Sequence, residues 1–200
     1  RLTNLVRKTR GGDKEALLQV ELLTRAKVAL EDGQPARNVE IAEDEAKAWE
    51  MLQLLTTKPI LYVCNVEESN AGDGNAHSAR VAEMAKAQGA ASVVISAAIE
   101  EEISQLDDED AEMFLSEIGL EEPGLDRLIR AGYDLLTLET YFTVGPKEAR
   151  AWTIRLGTQA PQAAGVIHGD FEKGFIRAET ISYDDYIALG SEQAARDAGK

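Results

Sequence analysis

The sequence predicts an α/β chain: a parallel strand pair with a crossover helix, preceded by a helical hairpin and followed by a small α+β module. Three observations carry this. Two apolar runs, Ile60–Cys64 and Ala91–Ile95, flank an amphipathic helical stretch, which is the order of a βαβ unit. Gly11-Gly12-Asp13 breaks two helix-forming stretches near the start. Beyond Leu136 the texture turns to alternating Thr, Tyr, Phe, Val and Trp.

Taken in order, residues 2–9 carry Leu2, Leu5 and Val6 and read as the end of a helix. Lys14 to Glu31 is rich in good helix formers, with Leu23, Ala26 and Leu30 marking a seam. Two helices across a short Gly turn make an antiparallel hairpin. Such a hairpin either packs only on itself or projects as an arm toward a partner; the residues leave both open. Asp32-Gly33-Gln34-Pro35 is a helix stop. Ala42 to Leu55 is expected as a helix with Trp49 in its core, and Thr57-Lys58-Pro59 opens the strand at Ile60. Ser69 to Asn75 reads as a loop, His77–Gln88 as a helix, and Ala91–Ile95 as the second strand. Helices are expected at Ile99–Leu106, Asp108–Ile118 and Gly124–Leu136.

The C-terminal part predicts a hairpin, Thr137–Val144 and Ala149–Leu156, closed by a tight turn at Gly145-Pro146-Lys147. A short helix at Pro161–His168 and a strand at Phe175–Ile181 follow, then a polar helical tail from Tyr183. Strand, strand, helix, strand is the order of a β-grasp module, here without a closing strand.

Charge and composition exclude several functions. The net charge is −15, with twelve acids and no Lys or Arg between Glu100 and Asp126. That run reads as a solvated helix face. Bases are concentrated early, at Arg1, Arg7, Lys8, Arg10 and Lys14, and from Arg127 onward nine bases nearly balance ten acids. Overall acidity argues against the whole chain coating nucleic acid, while leaving room for a local basic face. The single cysteine, Cys64, precludes an internal disulfide and fits a reducing cytosol. No window approaches a membrane span, and no secretory signal is visible. The chain starts with Arg inside an apparent helix and so reads as a piece of a longer protein. His77 and His168 stand far apart and, with one Cys, make no zinc pattern. Ser96 lacks a Gly-x-Ser-x-Gly elbow, Asp107-Asp108-Glu109-Asp110 lacks the spacing of a calcium loop, and Gly72-Asp73-Gly74 is a turn.

The chemistry that remains sits at the strand tips. The first strand delivers Asn65 and, three residues later, Glu68; the second ends in Ser96-Ala97. Ligands in open α/β sheets lie beyond the carboxyl ends of the strands. An amide and a carboxylate there suit the polar edge of a purine. In the Asn-Lys-x-Asp motif of GTPases, the Asp takes both guanine donors. Here Val66 replaces the Lys and Glu68 the Asp, so the aliphatic cover is lost and the carboxylate is pushed outward by one methylene. Asn65 still suits the N7 edge shared by adenine and guanine. The expectation is a weakened guanine preference and acceptance of adenine. The plainer alternative has Asn65 capping the next turn and Glu68 solvated.

Longer stretches carry a resemblance. They are Gly11-Gly12-Asp13-Lys14-Glu15-Ala16, Leu52-Gln53-Leu54-Leu55-Thr56-Thr57-Lys58-Pro59, Asn65-Val66-Glu67-Glu68 and Ile95-Ser96-Ala97. The most specific runs from Ala151-Trp152-Thr153-Ile154-Arg155 through Gly165-Val166-Ile167-His168 to Glu179. In these the chain resembles the YchF/EngD branch of the Obg family, the Obg-like ATPases, over almost its whole length. The resemblance implies a partial P-loop NTPase domain with a helical coiled-coil insertion, followed by a TGS domain of β-grasp type. It divides the chain into 1–38, the end of the helical insertion; 39–137, the C-terminal half of the nucleotide-binding domain; and 138–200, a truncated TGS domain. It implies a cytoplasmic, ribosome-associated enzyme hydrolysing ATP or GTP with Mg2+. Asn65, Val66 (through its backbone) and Glu68 match the family's base-reading motif, and Ser96 and Ala97 its second base-contact loop. Ala98 stands where many relatives carry Lys.

No Gly-x-x-x-x-Gly-Lys-Ser/Thr and no Asp-x-x-Gly preceding the base motif occur here. No catalytic or metal-binding residue is therefore expected in this chain, and the chain alone is expected to be inactive. The magnesium ligands are expected in an upstream segment. Arg150, Arg155, Lys173 and Arg177 are candidate contacts to ribosomal RNA in the C-terminal module. The competing reading is an RNA- or ribosome-binding interaction module without catalysis.

Overall fold

The computed structural model describes residues 2–9, 11–145 and 147–200. Arg1 and Arg10 of the basic N-terminus, and Pro146 of the expected hairpin turn, lie outside the described residues. The chain separates into two compact units, residues 1–136 and 137–200.

In the first unit, α1 (Leu2–Thr9) and α2 (Lys14–Glu31) pack across the Gly11–Gly12 turn. Gly12 sits at φ 78°, a left-handed conformation that favours glycine. Asp13 caps α2, its carboxylate accepting from the Glu15 and Ala16 N–H groups. Leu22, Leu23 and Leu52 form the buried core here, with Leu2, Leu5, Leu18, Ile41, Trp49 and Leu54 packed against it. Leu30 of the expected seam is instead nearly half exposed.

The expected helix at Ala42–Leu55 is shorter. A 3-10 turn at Glu43–Glu45 leads into α3 (Ala46–Met51), which ends as Leu52 plunges into the core and Gln53 adopts φ 49°. Core burial of Leu52 overrides the helical spacing that continues to Leu55. Glu45 accepts from the Ala42 N–H and pairs with Arg25 at 2.6 Å. The Arg25 hydrogen bond holds the Glu45 carboxyl below its ordinary range.

Strands β1 (Leu61–Asn65) and β2 (Ala91–Ile95) pair in parallel, in register from Leu61 opposite Ala91 to Asn65 opposite Ile95. The crossover helix α4 (Ala76–Ala87) is capped by the Asn75 side chain, and it packs on both strands. Next come α5 (Ala97–Ile103), α6 (Asp108–Glu117) and α7 (Gly124–Leu136), and α7 also packs on both strands.

The second unit is built on an antiparallel hairpin, β3 (Leu138–Val144) with β4 (Ala149–Arg155). The Tyr141 hydroxyl donates to the Ala163 carbonyl at 2.8 Å, fastening α8 (Ala160–Ile167) to the hairpin. Then follow α9 (Gly169–Lys173), which the sequence did not signal, and α10 (Tyr183–Leu189) and α11 (Glu192–Asp197), split by Gly190. The expected strand Phe175–Ile181 is not formed; the segment has no regular secondary structure and pairs with no strand. Alternation supplies only a two-sided side-chain pattern, whereas a strand needs a neighbour to complete its ladder. No described strand lies beside this one, and Ile176 is 90% exposed. The described sheet of this unit therefore has two strands.

Candidate functional site

Parallel pairing brings the two strand tips side by side. Asn65 and Ile95 are register partners at the last rung, and the Val66 N–H continues the ladder to the Ile95 carbonyl at 2.9 Å. The chain then leaves β1 toward Glu68 and leaves β2 into Ser96. The Asn65 side chain crosses the gap: its Oδ1 accepts from the Ala97 N–H at 2.9 Å. That bond occupies the oxygen and fixes the amide orientation. Among the described residues Nδ2 donates to nothing, so a donor remains at the tip, as a purine N7 requires.

Glu68 opens a short 3-10 turn, Glu68–Asn70, and its exposed carboxylate has no partner among the described residues. Ala97 is exposed at the start of α5. Ser96 is 2% exposed, and its buried Oγ has no hydrogen-bond partner among the described residues. The Val66 N–H is committed to the ladder, so only its carbonyl is left for a backbone contact. Asn65, Val66, Ser96 and Ala97 are thus brought together at one edge, with Glu68 on the adjoining turn.

The arrangement is an exposed shelf. An open groove of about 410 Å³ is lined by Leu2, Leu23, Ala26, Leu30 and Leu54, and another of about 620 Å³ by Glu112, Leu115 and Leu120. Neither includes a strand-tip residue. Among the described residues no three His, Cys, Asp or Glu side chains converge as a metal site.

Two residues outside the sequence-derived set link elements that adjoin the shelf. Glu100, counted within the solvated acidic run, accepts from the Gly124 and Leu125 N–H groups at 2.7 and 3.0 Å. Arg127 donates from Nη2 to the Ala71 carbonyl at 3.3 Å. A signal for the first was present. Residues 121–123 read Glu-Glu-Pro, so α7 starts without a Ser, Thr, Asn or Asp cap, and its free N–H groups need a distant acceptor.

The basic candidates of the second unit do not share a face. Arg150 and Arg155 both lie on β4, five positions apart, and odd spacing sends them to opposite sides of the hairpin. Arg150 lies over the Trp152 ring at 4.3 Å. Trp152 in turn donates from Nε1 to Thr143 Oγ1 at 3.0 Å. Lys173 ends α9, and Arg177 is exposed in the unpaired segment rather than on a strand.

Residues 138–200 match a family model described as YchF-GTPase_C, protein of unknown function. The "Ribosome-binding ATPase YchF" of Bacillus subtilis (strain 168) is 48% identical over 202 residues, covering 100% of this chain and 55% of the relative. The protein of the same name from Escherichia coli O157:H7 is 48% identical, covering 97% of this chain and 53% of the relative. "Obg-like ATPase 1" of Rattus norvegicus is 39% identical, covering 96% and 49%. A solved structure of the Schizosaccharomyces pombe YchF GTPase superposes with a TM-score of 0.78 at 31% identity, over 99% of this chain and 55% of that one. The chain spans about half the length of the curated relatives it matches.

Proposed function

The chain belongs to the YchF family, and from that premise we propose that it is the base-reading part of a ribosome-associated nucleoside triphosphatase hydrolysing ATP, with GTP as a poorer substrate. Asn65 contacts the purine N7 edge through Nδ2, Glu68 meets the Watson–Crick edge, and Val66, Ser96 and Ala97 line the base. The observation that carries this is the bond from Ala97 N–H to Asn65 Oδ1, which joins the tips while leaving Nδ2 and the Glu68 carboxylate unpartnered. Phosphate binding and hydrolysis belong to residues outside this chain, since no phosphate loop occurs in it. The magnesium ligands are assigned, with the phosphate loop, to that same part of the intact protein outside this chain. The chain alone is therefore inactive. Residues 1–38 are assigned to the helical insertion, 39–137 to the nucleotide-binding domain and 138–200 to a TGS-type module, with work on the ribosome placing the protein in the cytoplasm.

The test is nucleotide competition in the intact protein with Glu68→Asp. Shortening the acid by one methylene restores the length used by guanine-selective sites, so GTP gains on ATP by about tenfold or more. An unchanged ATP/GTP ratio sinks the assignment of base selection to this carboxylate.

A second reading, an RNA-binding module acting without catalysis, draws on Arg150, whose guanidinium is presented on the exposed hairpin by its stack on Trp152. Phosphate contacts through Arg150, and through Arg155, Lys173 and Arg177 where the RNA reaches beyond that side of the hairpin, would make ribosomal RNA binding fall steeply with salt. Binding that is flat across ionic strength counts against it.

A further inference from the structure

One helix end reaches both halves of the shelf. The first turn of α7 begins at Gly124, whose N–H, with that of Leu125, is capped by the Glu100 carboxylate. Glu100 is also the residue whose N–H closes the first turn of α5 on the Ser96 carbonyl, at 3.1 Å. The cap thus ties α7 to the helix that starts at the Ser96-Ala97 loop. Three residues into α7, Arg127 donates to the carbonyl of Ala71, a buried residue. The Ala71 N–H bonds back to the Glu68 carbonyl at 3.1 Å, closing the turn that carries the base-reading acid. Each tether ends one short turn away from a proposed base contact.

The joint is close-packed. A Cβ placed on Gly124 would lie 2.8 Å from Glu100 Oε1 and 3.2 Å from the Cβ of Ile95, the last residue of β2. A side chain at Gly124 would displace the Glu100 carboxylate and crowd Ile95, so glycine suits the close approach of α7 to the end of β2. The α7 N-terminus carries partial positive charge and unpaired N–H groups, so an acid there gains both hydrogen bonds and a favourable dipole contact. Arg127 is half-buried, and among the described residues its buried Nε has no partner.

We propose that the first turn of α7 is a positioning clamp for base recognition. Glu100 and Arg127 act as positioning residues that set the spacing between Glu68 on one loop and Ser96-Ala97 on the other, and through that spacing the choice between adenine and guanine nucleotides. This rests on the base-reading assignment above. A bidentate contact to a base edge tolerates only small displacements, so a loosened loop loses discrimination as well as affinity.

The experiment is titration of the intact protein with ADP and with GDP, in Glu100→Gln and Arg127→Gln, with Asn65→Ala as the reference for base reading itself. Glu100→Gln keeps the side-chain volume but turns an amide N–H toward one of the two helix N–H groups. Arg127→Gln frees the other loop independently, so a folding failure in one variant leaves the other to decide. Each is expected to weaken ADP about five- to tenfold, the scale of one charge-assisted hydrogen bond, and to move the ADP/GDP ratio toward unity. A merely structural role lowers the unfolding midpoint while leaving that ratio alone. If Asn65→Ala weakens ADP but both clamp variants keep the ratio within about twofold, the clamp is overturned and base reading stands. If Asn65→Ala also leaves both affinities unchanged, base reading at this edge is overturned and the clamp with it.

Discussion

The two units each contain one pair of strands, and the pairs are held in opposite ways. In residues 1–136 the pair is parallel, and its crossover, α4, packs on both strands, as does α7. Side chains from far along the chain then fasten its tips: Asn65 to Ala97, Glu100 to Gly124, Arg127 to Ala71. In residues 137–200 the pair is an antiparallel hairpin that completes its ladder locally. Ala195 is the only buried apolar residue of that unit among those described, while Phe142, Leu156 and Ile176 are largely exposed. The difference is topological. Parallel strands cannot be joined by a tight turn, so their connection must pass over the sheet and covers it. A hairpin carries no such obligation. A site that needs two loops at fixed spacing is better built on the first arrangement.

The contrast can be broken most directly in the cores. Leu22 has no exposed surface, and Leu22→Ala should cost about 2–5 kcal/mol in denaturant unfolding of the first unit. A loss below about 1 kcal/mol would mean that this helical core is no better packed than the hairpin unit. In the second unit the largest single effect is expected at Tyr141, whose hydroxyl bonds Ala163. Tyr141→Phe should cost about 1 kcal/mol. Burial pushes the Tyr141 phenol above its ordinary value of 10.0. The unfolded chain therefore releases this proton first, and the tyrosine's contribution makes stability fall as pH rises above that value. Unfolding followed across the alkaline range should show this slope in the parent and a shallower one in Tyr141→Phe. The smallest effect is expected at Ile176, where Ile176→Asp should change stability by no more than about 0.5 kcal/mol, because the residue is 90% exposed. A larger loss would mean that the Phe175–Ile181 segment is packed as a strand after all.

Legibility from sequence followed the range of the interactions concerned. Helix α2 was readable at both ends because its signals are local: Asp13 caps the start and Gly33 follows the stop. Strand β2 was likewise bounded by Gly89 and Ser96. The α3 boundary misled because the helical spacing runs on to Leu55, while packing draws Leu52 inward and ends the helix early. The Phe175–Ile181 alternation misled because pairing depends on a neighbour that local pattern does not report. At the candidate site, the placement of Asn65, Ser96 and Ala97 at the strand ends, and of Glu68 on the turn beyond, was legible through residue type and position after a strand. Glu100 and Arg127 were not, since one was hidden in an acidic run and the other looked like surface charge.

By itself the chain's order of residues determined where most of the helices and the two strand pairs lie, and which polar groups stand at the strand ends. Those outcomes rest on contacts within a few residues: caps, turns and alternation. Tertiary structure alone decided that Asn65 turns its oxygen to Ala97, that Glu100 caps a helix 24 residues away, and that Arg127 reaches 56 residues back to Ala71. Such bonds form only after the β1–β2 pairing and the packing of α7 have brought distant backbone groups within about 3 Å of each other, a distance that no local pattern encodes.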